Sequence, residues 1–157
     1  MISGKNNSIF EQKTGQVLVA GEAVKEFIPQ REPLVMVDAF YGIEGSRSFS
    51  GLTIGENNLL VENGLLNESG IIEHIAQSCS LRVGYLCKQQ NMPVPVGYIG
   101  AVRKMKIYDL PRVGQQLFTT IDILSEVFDI TLVSAEVTAG ETLIAVCEMK
   151  IFLANKS

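Results

Sequence analysis

The sequence predicts an α+β domain in which an antiparallel sheet wraps around one long helix. Apolar residues recur at spacings of three and four from Asn67 to Gln90, which is the period of a helix that buries one face. Two strand-like segments precede this helix and four follow it. The chain has 157 residues, 46% of them hydrophobic, which suits a single core. We therefore predict one domain over residues 1–157.

The elements before the long helix are predicted to be short. Residues 1–14 are rich in Gly, Asn and Ser and are predicted to form a loose N-terminal arm. The stretch from Ala20 to Ile28 predicts a short helix that Pro29 helps to end. A hairpin and a loop follow, with strands over Leu34–Ile43 and Arg47–Ile54 and the loop over 55–66.

The last third of the chain has the alternating pattern of strands. Pro93 and Pro95 end the helical region. Turns that contain Gly, Pro or Asp then separate the apolar runs, so we predict a meander of four strands. These strands are Gly97–Tyr108, Gln115–Glu126, Ile130–Ala139 and Thr142–Leu153. With the first hairpin they give six strands and one long helix.

Composition excludes several classes of protein. The net charge of −4 argues against a protein that binds nucleic acid, which needs a basic face for the phosphates. No run reaches the roughly 18 apolar residues of a membrane helix, and the start lacks a secretory signal, so a cytoplasmic protein is expected. Three cysteines and one histidine predict neither a disulfide framework nor a metal site. No phosphate-binding or dinucleotide loop occurs, so no cofactor is expected.

A narrow polar strip accompanies the apolar face of the predicted helix. Glu73 and Gln77 are four residues apart, and Ser80 and Gly84 continue the strip, so it can line a cleft. A carboxylate among apolar residues is costly and often marks a functional site. The alternative is that Glu73 is a first-turn residue with its carboxylate in water. His74 points about 100° away around the helix and is predicted to be a packed or surface histidine.

Four local motifs occur in one order along the chain. They are Ile28–Asp38 (IPQREPLVMVD), Ile72–Gln77 (IEHIAQ), Tyr98–Lys106 (YIGAVRKMK) and Pro111–Leu117 (PRVGQQL). Together they resemble the 3-hydroxyacyl-acyl-carrier-protein dehydratases, over roughly residues 27–153. The helix motif is most similar to a dehydratase-like branch associated with aryl polyene synthesis. The resemblance implies a hot-dog fold, in which an antiparallel sheet wraps one central helix.

The resemblance places Glu73 at the position of the catalytic acid, and Gln77 is expected to orient it. It implies dehydration of 3-hydroxyacyl thioesters on acyl carrier protein, in fatty-acid or polyketide-type synthesis. The best-known members have a second catalytic group in a His-Phe-Pro loop, but Asn57–Asn67 contains no histidine, and Gln30 replaces another family histidine. Two alternatives therefore stay open. One is a non-catalytic subunit that pairs with an active hot-dog partner, and the other is an acyl thioesterase.

A basic cluster is the other candidate site. It consists of Arg103, Lys104, Lys106 and Arg112, and together with Gly100 of the family's glycine-containing strand it is predicted to bind substrate or carrier. In an acidic protein such a cluster can bind an acidic carrier protein and its phosphopantetheine phosphate. It can equally be the solvated face of a strand and a turn. Because sheet edges invite pairing, a homodimer or a heterodimer with another hot-dog chain is also expected.

Overall fold

The computed structural model describes residues 15–154 and consists of one large sheet, one long helix and short connecting elements. In chain order these are β1 (Val19–Ala20), a 3-10 helix (Gly21–Glu26), β2 (Ala39–Glu44), β3 (Arg47–Thr53), β4 (Val61–Glu62), β5 (Leu65–Leu66), α1 (Glu68–Gln89), β6 (Val96–Ile107), β7 (Gln116–Val127), β8 (Ile130–Ala139) and β9 (Thr142–Ala154). Seven strands form the antiparallel sheet in the order β1-β2-β3-β7-β8-β9-β6, and β4 and β5 form a separate hairpin.

Helix α1 packs one face against the sheet and has the bounds that its apolar period predicts. The Asn67 side chain caps its start by accepting a hydrogen bond from the Gly70 amide at 2.8 Å. Ile71 and Ile75 are completely buried in the main core against residues of the sheet. The acidic residue of the first turn is Glu68. Glu73 lies in the second turn, so its interpretation as a first-turn residue is wrong.

The predicted four-stranded meander is wrong in its strand order. β7, β8 and β9 are sequential neighbours, but β6 pairs with β9 at the edge of the sheet, and β7 pairs with β3. The connection over residues 108–115 is longer than a hairpin turn, so it can carry the chain across the sheet. Local pattern identifies each strand, whereas the choice of neighbour depends on the whole sheet.

Three smaller predictions also need correction. The predicted helix near residue 20 is a 3-10 helix, and the predicted loop over 55–66 contains the β4–β5 hairpin. The strand predicted from Leu34 begins only at Ala39, because backbone groups of residues 34 and 36 bond to α1.

The predicted N-terminal arm, 1–14, lies outside the described residues. None of the helices within residues 15–154 is long and apolar enough to cross a membrane.

The segment that leads into β2 lies directly on α1 at Gly84. A Cβ on Gly84 would overlap the carbonyl group of Phe27, so only glycine permits this approach. The contact holds residues 27–38 against the helix and so places the backbone that surrounds Gln77. Glycine at position 84 is therefore needed for the backbone before β2 to reach its place beside Gln77.

Replacing Gly84 with alanine is expected to lower the free energy of unfolding by about 1 to 3 kcal/mol, because the clash is with backbone that cannot rotate away. Gly70→Ala is the matched control on the same helix. There a new Cβ would meet side-chain atoms of the buried Leu66 rather than backbone, so a smaller loss is expected. Denaturant unfolding of both variants measures the difference, and equal destabilisation would contradict the proposed cause.

Candidate active site

Glu73 lies half-buried on α1 and is held by a neighbour on the same side of the helix. Its Oε1 atom accepts a hydrogen bond from Nε2 of Gln77 at 2.9 Å. The spacing of four residues thus brings together the two side chains that the sequence pairs. The carboxylate has a defined orientation rather than moving freely in water.

Gln77 is fully buried, and the loop before β2 fixes its amide. Its Oε1 accepts from the Met36 amide at 2.6 Å, and its Nε2 donates to the Leu34 carbonyl at 2.6 Å. A backbone N–H can only donate, so the amide oxygen must face Met36 and the amide nitrogen must face Glu73. Two backbone contacts thus determine which group of Gln77 reaches the carboxylate.

His74 anchors the same loop from the other side of the helix. Its Nδ1 lies 2.7 Å from the Met36 carbonyl oxygen, and its Nε2 lies 2.7 Å from Oγ1 of Thr119 on β7. A carbonyl only accepts, so Nδ1 donates to Met36, and Nε2 accepts from the Thr119 hydroxyl. Complete burial lowers the pKa of His74 to about 4, so the ring is neutral at pH 7.

The interpretation of His74 as a packed histidine is confirmed, because the ring is buried and both of its nitrogens are engaged. It is also the only histidine in the sequence. The chain therefore presents no imidazole to the carboxylate of Glu73. The contacts instead form a continuous set from Thr119 through His74, Met36 and Gln77 to Glu73, which we call the Glu73 network.

Sequence reasoning missed the parts of this network that lie far from the helix along the chain. Leu34, Met36 and Thr119 are between 38 and 45 residues from the side chains that they bond. Two of the three contribute only backbone groups, which leave no trace in residue type. The one signal in the sequence was a histidine on a helix that buries one face. If such a histidine is buried, its ring nitrogens require hydrogen-bond partners elsewhere in the fold.

The predicted polar strip does not form one continuous cleft wall. Gln77 is buried beneath residues 34–36, and Gly84 is covered by the backbone of Phe27. Ser80 is half-buried and lines a cavity. Among the four residues of the strip, Glu73 and Ser80 thus remain partly exposed to solvent.

The cavity beside Ser80 has a volume of about 610 Å³ and lies between the C-terminal half of α1 and the sheet. Its walls are mainly apolar. The helix and its C-cap contribute Cys79, Ser80, Arg82, Val83, Leu86, Cys87 and Gln90, and the strands contribute Gly97, Ile123, Glu126, Thr131, Val133, Ile151 and Leu153. Glu73 does not line it, but Ser80 does and lies about 10 Å further along the helix axis. A cavity of this size suits part of a small apolar ligand.

The residues of the predicted basic cluster form none of the hydrogen bonds of the Glu73 network. Arg103, Lys104 and Lys106 are exposed on β6, and Arg112 is exposed in the connection to β7. Nζ of Lys104 forms an ion pair with Oε2 of Glu148 at 3.4 Å. The three residues of β6 share the open edge strand of the sheet, where they are accessible to a partner.

Gly100, which was predicted to bind substrate or carrier, has a steric role in the structure. A Cβ at this position would overlap the aromatic ring of Phe152 on the neighbouring strand β9. Glycine therefore lets the ring lie across β6. This contact explains the glycine by packing alone. Its role in binding substrate or carrier stays a prediction.

The geometry supplies one oriented carboxylate and no second acid or base from the chain's histidine. Such a carboxylate can accept or return a proton. A reaction that needs two proton-transfer groups on opposite sides of a substrate would need another group beside Glu73. By itself, the arrangement thus offers one proton-transfer group.

Comparison with known proteins gives one family match and several structural matches. A family model described as ApeP-like, ApeP dehydratase, matches residues 22–157. The sequence has no match among curated proteins. The dehydratase heterocomplex ApeI:P from Xenorhabdus doucetiae is similar in structure, with a TM-score of 0.73, 17% identity, and coverage of 85% of this chain and 91% of that chain.

Two further solved structures share the fold. The uncharacterized protein PH1136 from Pyrococcus horikoshii has a TM-score of 0.62 and 13% identity, covering 88% of this chain and 97% of its own. A hypothetical thioesterase with coenzyme A from Streptococcus pneumoniae TIGR4 has a TM-score of 0.58 and 9% identity, covering 74% and 84%. At such identities these likenesses show the hot-dog fold alone. Because the family model spans most of the sequence, the chain belongs to the ApeP-like dehydratase family.

Proposed function

We propose that the chain takes part in dehydration of 3-hydroxyacyl thioesters carried on acyl carrier protein, in fatty-acid or polyketide-type synthesis. Glu73 serves as general acid/base, and Gln77 orients it. The observation that carries the proposal is the half-buried carboxylate held at 2.9 Å by a fully buried amide. Membership of a dehydratase family supports the reaction class.

The reaction assigns a specific task to this carboxylate. Dehydration removes a proton from the carbon next to the thioester carbonyl and breaks the carbon–oxygen bond at C3. The hydroxyl leaves as water after it receives a proton, and a 2-enoyl thioester remains. Two groups on opposite sides of the substrate perform these transfers better than one. Glu73 can perform one of them, and the second needs another residue.

A second copy of this chain would not supply a free imidazole. It would bring the same His74, buried and bonded to Met36 and Thr119. A different hot-dog chain that carries the His-Phe-Pro loop would complete the pair. The similarity to a dehydratase described as a heterocomplex supports this arrangement. We therefore propose that the active form is a heterodimer, with this chain contributing Glu73.

The test uses two N-acetylcysteamine thioesters, 3-hydroxydecanoyl and decanoyl, with this chain alone, the His-bearing partner alone, and the two mixed. The proposal expects the 2-enoyl product from the mixture at a rate well above either chain alone. Free acid from both thioesters would instead support a thioesterase. A partner that is fully active alone and unaffected by this chain would support a non-catalytic subunit.

Strand β6 is the surface that we propose for pairing with another chain. It bonds only to β9, so its other edge is open. Val96, Tyr98 and Ile99 are exposed along it, with Tyr98 61% exposed. An open strand edge with exposed apolar side chains favours association.

We expect the purified chain to form a two-fold dimer, or a heterodimer when a partner is present, that buries more than about 1,000 Å². Ile99→Lys should shift the chain toward monomer, because a charge on the edge disfavours strand pairing. Leu143→Lys is the control, since this apolar residue is 37% exposed on β9 rather than on the edge strand. Light scattering at micromolar concentration measures the mass. A parent chain that stays monomeric both alone and with the partner would overturn this expectation.

The basic cluster is proposed to bind the acidic carrier protein. Arg103→Glu together with Lys106→Glu should weaken carrier binding about tenfold or more and flatten its salt dependence. Lys88→Glu together with Arg47→Glu, at two exposed positions outside the cluster, is the charge-matched control. Titration calorimetry at two salt concentrations measures both quantities. Unchanged binding by the double variant would assign the cluster to ordinary protein surface.

A further inference from the structure

The outer face of the sheet, which is turned away from α1, carries an apolar row at one end. On β9, Met149 and Ile151 are buried in the core with α1, so Phe152 points to the opposite face. Direct cross-strand partners share a face of the sheet. The row that contains Phe152 consists of Tyr98 on β6, Phe152 on β9, Ile130 on β8 and Val127 on β7. All four are exposed, and we call them the outer row.

Phe128 extends the outer row at the turn between β7 and β8. Val127 pairs with Ile130, so residues 128 and 129 form a two-residue turn. Phe128 has a φ of 57°, where such turns favour asparagine or glycine and where a bulky residue is strained. It is also 96% exposed, so its ring gains almost nothing from burial within this chain. A strained aromatic residue that is left in water indicates a contact with another molecule.

The size of this patch is sufficient for a specific contact. Phe128 and the outer row together expose on the order of 600 Å². A contiguous apolar patch of this size is at the upper end of what monomeric proteins expose and often marks an interaction surface. Two such patches placed on each other would bury about 1,200 Å², which is the lower end of the range for specific interfaces. A second copy of the chain supplies the matching patch, and two sheet faces can stack with interleaved side chains.

Charges on the same face also favour a second copy. A cross-strand row parallel to the outer row runs from Arg103 on β6 through Glu148 and Ser134 to Asp122 on β7. A two-fold axis along the strands, between β9 and β8, stacks the outer row on itself and places Arg103 opposite Asp122 of the second copy. Opposite charges at the two ends of one row thus make this face complementary to itself, whereas a partner of one charge sign would not match it.

We propose that the outer row and Phe128 form a second interface, through which two copies of this chain stack their sheets face to face. The open edge of β6 is not used, so two pairs joined along β6 can stack into an assembly of four chains. Because the buried area is small, stacking is expected above micromolar concentration. Stacking occupies Arg103, so the second copy and the carrier protein would compete for it. The inference does not depend on the proposed function.

Sedimentation velocity of Ile99→Lys, from about 5 to 500 µM, tests stacking without pairing along β6. Ile99 pairs with Ile151 and points toward α1, so this variant leaves the outer row intact. Its mass should rise from one chain to two across the range. Adding Phe128→Asn should raise the dissociation constant about tenfold or more, because it removes the aromatic anchor. Leu59→Asn, at an exposed leucine before β4, is the control and should leave stacking unchanged.

Stability separates an anchor from an ordinary turn residue. Asparagine tolerates a positive φ, so the denaturant midpoint of Phe128→Asn at low protein concentration should hold or rise while stacking is lost. A chain that stays monomeric over the whole range, or that stacks equally well with Phe128→Asn, would overturn the inference. Binding to phosphatidylcholine vesicles that requires Phe128, without self-association, would also overturn it and assign the face to a lipid surface.

An exchange of charges tests the two-fold arrangement. Arg103→Asp alone places two carboxylates opposite each other and should weaken stacking, and Asp122→Arg in the same chain should restore it at least in part. Recovery in the exchanged variant would support the proposed axis. Stacking that is weakened equally by the single and the exchanged variant would overturn this arrangement.

Discussion

Replacing Glu73 with glutamine is expected to lower dehydration of a 3-hydroxyacyl thioester by about 100-fold or more, because the variant keeps the shape but loses the acid–base group. The amide oxygen of the new side chain can still accept the hydrogen bond from Gln77. Stability should therefore hold or rise, since an ionisable group is no longer partly buried. Turnover by the mixed complex and the denaturant midpoint of the chain are the two measurements.

Glu68→Gln provides the matched control, because Glu68 is an exposed carboxylate in the first turn of the same helix. It should leave turnover unchanged and lower stability by about 0.3 to 1 kcal/mol through the helix dipole. If Glu73→Gln behaves in this way instead, with unaltered turnover and reduced stability, Glu73 is not the catalytic group.

Protonation of His74 at acidic pH is expected to lower the free energy of unfolding by about 3 kcal/mol in total. Its pKa is lowered from 6.5 to about 4 by burial, so between these values the unfolded chain binds the proton more readily than the folded one. The stability that the neutral ring contributes is complete above pH 6.5 and is lost as the pH falls to about 4. Protonation would also place a donor on Nε2, which accepts from Thr119 in the neutral form.

Free energies of unfolding between pH 7.5 and 4.5, for the parent chain and His74→Gln, test this expectation. Glutamine retains one donor and one acceptor but does not titrate, so the variant should be less stable at pH 7 and lose less on acidification. Asp38, whose pKa is raised mainly by burial, is present in both proteins, so its contribution cancels in the comparison. Parallel curves for the two proteins would show that His74 does not cause the acid sensitivity.

Loss of the neutral His74 should also affect the Glu73 network. The ring and Gln77 both bond to Met36, one to its carbonyl and the other to its amide. A displaced residue 36 would release the amide that orients Glu73. His74→Gln is therefore expected to reduce turnover in the mixed complex, with Ser69→Ala, at an exposed position on the same helix, as a control outside the network.

The sequence by itself determined the elements and the central pair of the site. The period of α1 and its Asn67 cap are local features, and strands β7, β8 and β9 follow their alternating patterns to within one residue at each end. The pairing of Glu73 with Gln77 was predictable for the same reason, since a spacing of four residues on a helix brings two side chains together.

Only the tertiary structure decided which strands are neighbours and what surrounds the carboxylate. The position of β6 beside β9, the backbone bonds to Gln77, and the walls of the cavity between α1 and the sheet all join residues far apart in the chain. Local periodicity depends on residues within a few positions, whereas backbone hydrogen bonds and cavity walls depend on which segments meet when the chain folds. The loop over residues 34–36 shows the difference, because its apolar sequence predicts a strand and its backbone instead holds the side chain that orients Glu73.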